Sequence, residues 1–271
     1  MGIRRPLLIV IAALLFLPAA SVALSAEPGC LRCHPAHYEE KGRCSHCHKG
    51  NESGRRAAIA HLGLYPARYS YFRMEESAVL RRGGKLPGDF GCRRCHVSGE
   101  KGNRLSSDLD TLPFRSSPER IAEAIRVPAY YMPDFRFSEE QIAALVNAIL
   151  AASGKKGKGA GETPVRVHFK KDGGEDVFSR RCGPCHKALA AGYGGLGKGN
   201  IGPNLSGLFS AEYPKPDRKG KTWSPERLRA WIANPRKERP AARMPPVPLK
   251  EEDFLRAAER LEIPPEWDIG N

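Results

Sequence analysis

Cys182-Gly183-Pro184-Cys185-His186 is one of four copies of a single pattern, Cys-x-x-Cys-His, in this 271-residue chain. The others are Cys30-Leu31-Arg32-Cys33-His34, Cys44-Ser45-His46-Cys47-His48 and Cys92-Arg93-Arg94-Cys95-His96, and together the four use all eight cysteines. Two thiols three residues apart can reach the two vinyl groups of one porphyrin, and the histidine that follows is placed to bind iron from one face. A redox dithiol or half of a zinc site also begins Cys-x-x-Cys, so one copy alone would not separate these readings. Four copies that leave no cysteine over, each with histidine next, favour covalent attachment of four haem c groups. The attachment residues are then Cys30 and Cys33, Cys44 and Cys47, Cys92 and Cys95, and Cys182 and Cys185, with His34, His48, His96 and His186 as the first iron ligands.

The amino terminus points to export independently. Arg4 and Arg5 precede an unbroken apolar run from Leu7 to Leu17, and small residues cluster from Ala19 to Ala26. This is the layout of a secretory signal over residues 1–26. Apolarity continues to Leu24, so an uncleaved membrane anchor is the competing reading. Either way the expected location is periplasmic, the compartment in which c-type haem is attached.

Composition bounds the rest. The chain is 41% hydrophobic, with 28 glycines and 23 prolines, which describes a loop-rich polypeptide poor in core-forming side chains. Each haem is itself a large apolar body around which such a chain can fold. The net charge of +14 suits an acidic redox partner, an anionic surface or an oxyanion. Nucleic acid is not expected in this compartment.

The run Ser153-Gly154-Lys155-Lys156-Gly157-Lys158-Gly159-Ala160-Gly161 has no apolar periodicity and reads as a linker, taken as 153–163. Before it lie a short segment with two haem motifs, 28–60, and a unit with one, 61–152. After it lies a unit with one, 164–271. Some thirty residues cannot cover two porphyrins separately, so the first two haems should lie close together.

In the last unit Gly174, Val177 and Phe178 lie on an amphipathic approach to Cys182, and Gly202-Pro203-Asn204-Leu205 follows His186. Ser224-Pro225-Glu226 opens a helix bearing Leu228, Trp231 and Ile232. Arg243-Met244-Pro245-Pro246 then precedes a helix with Phe254, Leu255, Ala258 and Leu261. This unit resembles the class I cytochrome c domain. The resemblance implies that the Pro203 carbonyl bonds the proximal His186 and that Met244 is the sixth iron ligand. The middle unit is similar: Ser117-Pro118-Glu119 with Ile121 and Ile125, then Tyr131-Met132-Pro133, then a capping box of Ser138 and Gln141. The last helix of that unit carries Ile142, Leu145, Val146, Ile149 and Leu150. Here the resemblance implies Met132 as ligand, but Ala67 to Phe90 shows no clear helix leading to Cys92. The expected fold is mainly α: a loop-rich dihaem segment followed by two class I cytochrome c-like domains.

Outside the motifs four histidines remain, His37, His46, His61 and His168. His37 lies three residues beyond His34 and cannot serve the same iron from the other side, so it would serve the neighbour. The run from Cys30 to His61 is similar to bis-histidine segments of multihaem cytochromes from metal-respiring bacteria, which implies His37 and His61 as distal ligands. His46 and His168 read as surface residues. The chain is loosely similar to cytochromes of selenite and tellurite reduction systems. A thioether ligand raises a haem potential relative to a second imidazole. The expected function is therefore electron transfer, from a low-potential pair to two His/Met haems, between a membrane donor and a downstream redox acceptor. The alternatives are a haem enzyme that reduces a small oxyanion or peroxide at an open iron, and a cytochrome subunit of a quinol-oxidising complex.

The purified mature protein should carry the mass of four haem additions. Changing both cysteines of any one motif to alanine should remove one addition and leave three.

Overall fold

The computed structural model describes residues 29–155, 176–215 and 220–269. The signal segment, His168, Gly174 and most of the expected linker lie outside these residues. Among the described residues no helix is long and apolar enough to cross a membrane.

Among the described residues helices dominate, with five short strands and long irregular connections between them. The described part of the first segment holds α1 (Cys44–His48) and α2 (Ala57–Ala60) besides two short 3-10 turns, with His61 as the C-cap of α2. The stretch 61–152, the expected middle unit, carries α3 (Ala78–Asp89), α4 (Pro118–Arg126) and α5 (Glu139–Ser153). Short polar side chains start all three. The amide of Leu80 donates to Ser77 Oγ at 3.1 Å and that of Arg120 to Ser117 Oγ at 3.4 Å. At α5 the Gln141 amide donates to Ser138 Oγ, and the Ser138 amide to Gln141 Oε1 at 2.9 Å, the reciprocal pair expected from the sequence.

Helix α3 corrects one expectation, since it occupies part of the stretch that showed no clear helix before Cys92. Gly83, Gly84 and Pro87 lower its intrinsic propensity, and Pro87 removes a backbone donor inside it. Packing supplies the compensation: Leu86 joins Ile142, Leu145, Val146, Ile149 and Leu150 of α5 in one buried cluster with Tyr69, Phe72 and Ile121. A side chain at Gly83 would overlap the Ala144 carbonyl of α5. The residue that weakens α3 as an isolated helix therefore permits its close approach to α5. Asn147, fully buried on α5, donates to the Arg68 carbonyl at 2.7 Å and ties down the segment that enters the unit. Helix α5 runs through Ser153, whose buried hydroxyl donates to the Leu150 carbonyl, so the first residue of the expected linker is helical.

The last unit contains α6 (Val177–Arg181), α7 (Pro225–Ala233), α8 (Pro235–Glu238) and α9 (Glu251–Glu259). Phe178 of α6 is fully buried with Leu208, Tyr213 and Leu261, while Phe254 and Ala258 of α9 pack on Ile232 of α7. Of the four residues expected on this last helix, Leu255 is 55% exposed, and Leu261 enters the core from just beyond the helix end.

Hairpins β1 (Val97–Ser98) with β2 (Lys101–Asn103) and β3 (Ala188–Ala190) with β4 (Gly194–Leu196) follow the third and fourth haem motifs. Strand β5 (Asp268–Ile269) pairs antiparallel with β2, Asn103 opposite Asp268, so residues 268–269 are stitched to the hairpin that follows the third motif.

Gly83→Ala should destabilise the protein by about 1–3 kcal/mol, the range for overpacking a tight contact. Chemical denaturation of the purified protein measures this. Gly84→Ala, where a Cβ meets open space, should be neutral or stabilising.

Candidate haem sites

All four motifs fold into one tight turn. His34, His96 and His186 each donate their amide to the carbonyl of the first motif cysteine, at 3.0, 3.0 and 2.9 Å. Cys44–His48 is itself a helical turn. This turn brings both thiols and the imidazole to one region from consecutive residues.

Burial sets the chemistry of five of these eight thiols. It pushes Cys92 and Cys182 up to about 11, and it is the first cause of the raised values of Cys44, Cys47 and Cys95. Zinc binding and disulfide exchange need thiolate, which these environments disfavour, whereas a thioether to porphyrin carries no charge. The donor set fits haem attachment.

The third motif opens onto a cavity of about 820 Å³ lined by Cys92, Cys95, His96 and Met132, with apolar walls from Leu105, Leu109, Ile121 and Leu145. The size falls in the range of cofactor pockets, and both the motif histidine and the expected methionine face it. His96 Nδ1 lies 2.8 Å from the Ser107 carbonyl. A carbonyl only accepts, so Nδ1 carries the proton and Nε2 keeps the lone pair that a metal needs. Burial pushes the His96 pKa down, against opposing pulls from the Ser107 carbonyl and Asp108, and so favours the neutral imidazole.

The fourth motif repeats the device. His186 Nδ1 donates to the Pro203 carbonyl at 2.8 Å, the contact that the class I resemblance implies. Gly202 lies against the imidazole, where any side chain would overlap the ring. Met244 is half-buried beside Ile232 and Phe254, and its Sδ accepts from Trp231 Nε1 at 3.2 Å.

In the first segment the structure brings histidines together in two pairs. The rings of His34 and His61 have centroids 6.1 Å apart with planes inclined at 42°, and those of His37 and His48 are 5.7 Å apart at 87°. Two imidazoles bound trans to one metal at bond lengths of about 2 Å would have centroids roughly 6 Å apart. His48 Nδ1 also meets the Tyr65 carbonyl, at 3.3 Å. His46 is exposed. Cys30 and Cys44, from different motifs, are near enough for Cys30 to contribute to the raised Cys44 value.

Glu52, which the sequence reading did not single out, knits the two motifs together. Its carboxylate accepts from the Ser45 amide at 2.6 Å and pairs with Arg43 at 2.6 Å, and its carbonyl accepts from the Gly29 amide. Burial alone would raise this carboxyl, but the Ser45 and Arg43 contacts outweigh it and hold it below the usual carboxylate range.

Paired thiols with raised pKa values, a Nδ1-tethered histidine and a methionine around an apolar cavity together describe a c-type cytochrome site. Residues 78–147 match the family described as Cytochrome C oxidase, cbb3-type, subunit III, a span that runs from α3 into α5 and contains Cys92, Cys95, His96 and Met132. The match supports a c-type cytochrome with covalently bound haem c and haem-based electron transfer. No solved structure matches the chain.

Gly202→Ala should push the His186 ring from its place beside the Pro203 carbonyl. In the haem-loaded protein the fourth motif's site should then show a high-spin ferric signal by electron paramagnetic resonance that the parent lacks, with the sites of the first two motifs unchanged.

Proposed function

We propose that this chain is a periplasmic electron carrier with four haem c groups, in which a bis-histidine pair feeds two His/Met sites in two class I cytochrome c-like units. The observation that carries the reading is that second ligands stand ready beside the motif histidines. His61 lies at bridging distance from His34, and His37 at bridging distance from His48. Met132 shares a cavity with His96. The pairing follows: His61 serves the first iron and His37 the second.

Bound haem c supplies reversible one-electron chemistry at iron. The chain's residues set its terms. Paired side-chain ligands leave no coordination position open for a substrate, which favours transfer over catalysis. Two imidazoles at each of the first two sites hold those potentials low, and the thioethers of Met132 and Met244 raise the other two. Electrons arriving at the amino-terminal pair are then driven toward the carboxy-terminal units. Close packing of Cys30 near Cys44 supports short steps within the pair. The basic surface would guide an acidic donor or acceptor to the protein.

The family match favours a second reading, in which the same wiring serves as the cytochrome subunit of a larger quinol-oxidising membrane complex. Co-purification of a haem-bearing or quinol-reactive membrane partner from native membranes would decide for it.

Potentiometric titration followed optically should resolve a lower-potential and a higher-potential group. The oxidised protein should show methionine-to-iron charge transfer, and the reduced protein should leave carbon monoxide unbound. One undivided transition would overturn the gradient, and stoichiometric carbon monoxide binding would support the enzyme alternative.

A further inference from the structure

The loop that carries Met132 is secured largely from outside its own unit. Between the end of α4 and the start of α5, residues 127–138 have no helix to hold them, and Val127 and Tyr130 are exposed. One local bond, from the Met132 amide to the Ala129 carbonyl, closes a turn. The remaining anchors before Met132 come from the last unit. Lys187 Nζ donates to the Tyr130 carbonyl at 3.1 Å and stands 3.6 Å above the centre of the Tyr130 ring. Asn204 Nδ2 donates to the Tyr131 carbonyl at 2.8 Å. The Tyr130 and Tyr131 hydroxyls reach the Lys198 and Gly197 carbonyls, at 3.3 and 3.4 Å. Leu189 of β3 completes the wall of the cavity that Met132 faces.

The origin of these anchors matters. Lys187 directly follows His186, and Asn204 directly follows Pro203, whose carbonyl holds His186. The two short stretches that orient the fourth motif's histidine therefore also grip the two carbonyls immediately before Met132. Lys187 is buried, so its ammonium acts on the Tyr130 carbonyl and ring with little screening by water.

We propose that Lys187 and Asn204 are positioning residues for Met132, so that ligation at the third iron depends on the fourth motif's being correctly folded. This rests on the reading of Met132 as ligand. It makes the two carboxy-terminal sites one mechanical unit, in which displacement of His186 is felt at Met132.

The test uses the full haem-loaded chain. In a Met244→His background the remaining methionine-to-iron charge-transfer band reports Met132 alone. Lys187→Met and Asn204→Asp each remove one donor to the loop, and each should raise the fraction of third sites with the thioether off the iron about fivefold, the effect of one lost hydrogen bond. Lys187→Arg should restore the band. In the chain with Met244 intact, the same two variants should speed amide hydrogen exchange at 130–132 while leaving α5 protected. Unchanged band and unchanged exchange in both variants would overturn the proposal. A Met244→His parent without any methionine band would instead overturn the assignment of Met132 as ligand, and this proposal with it.

Discussion

The structure depends on a constraint only five residues long. Each Cys-x-x-Cys-His must close into a single turn before its thiols and imidazole can address one porphyrin. The backbone bond from the histidine amide to the first cysteine's carbonyl closes it at the first, third and fourth motifs, and α1 does so at the second. Such a turn is too short to be stable alone, so surrounding segments have to support it. Ser107, Pro203 and Tyr65 do so by giving a carbonyl to a motif histidine, which fixes both the ring and its tautomer. Glu52 does so by accepting from the Gly29 amide just before the first motif and from the Ser45 amide inside the second.

The same economy appears in the packing. A chain with few core-forming residues cannot spread helices apart around a large side-chain interior, so α3 is brought onto the backbone of α5 through Gly83. The apolar residues this leaves over line the cavity beside Cys92 and His96. Stability and the chemical site are therefore drawn from one set of side chains, Leu109, Ile121, Leu145 and Ile149 among them. In the last unit Met244 is likewise part of a small core and also a hydrogen-bond acceptor for Trp231.

Much of the site was legible because its chemistry is local. The candidate attachment residues are read from spacing alone, and Met132 and Met244 stand out as methionines followed by proline and then a helix. The caps Ser117, Ser138 and Ser224 were readable for the same reason, since a cap acts on amides within three residues. Helix α3 was hidden because Gly83, Gly84 and Pro87 are breakers by propensity, and their fitness for close packing shows only when α5 is alongside. Strand β5 was hidden because its partner is β2, far away in sequence. The roles of Glu52, Lys187 and Asn204 left no signal, because each holds a backbone carbonyl or amide, and backbone groups are the same in every residue.

The sequence by itself determined the cofactor chemistry, the number of attachment motifs, the helical character and the set of residues able to act as iron ligands. Each of these depends on residue type and on neighbours a few positions away. Tertiary structure decided which of these residues meet: His34 with His61, His37 with His48, Met132 with the His96 cavity, and the Met132 loop with the fourth motif. Those pairings join positions 11 to 73 residues apart, and over such separations chain entropy leaves the outcome open until packing closes the loops.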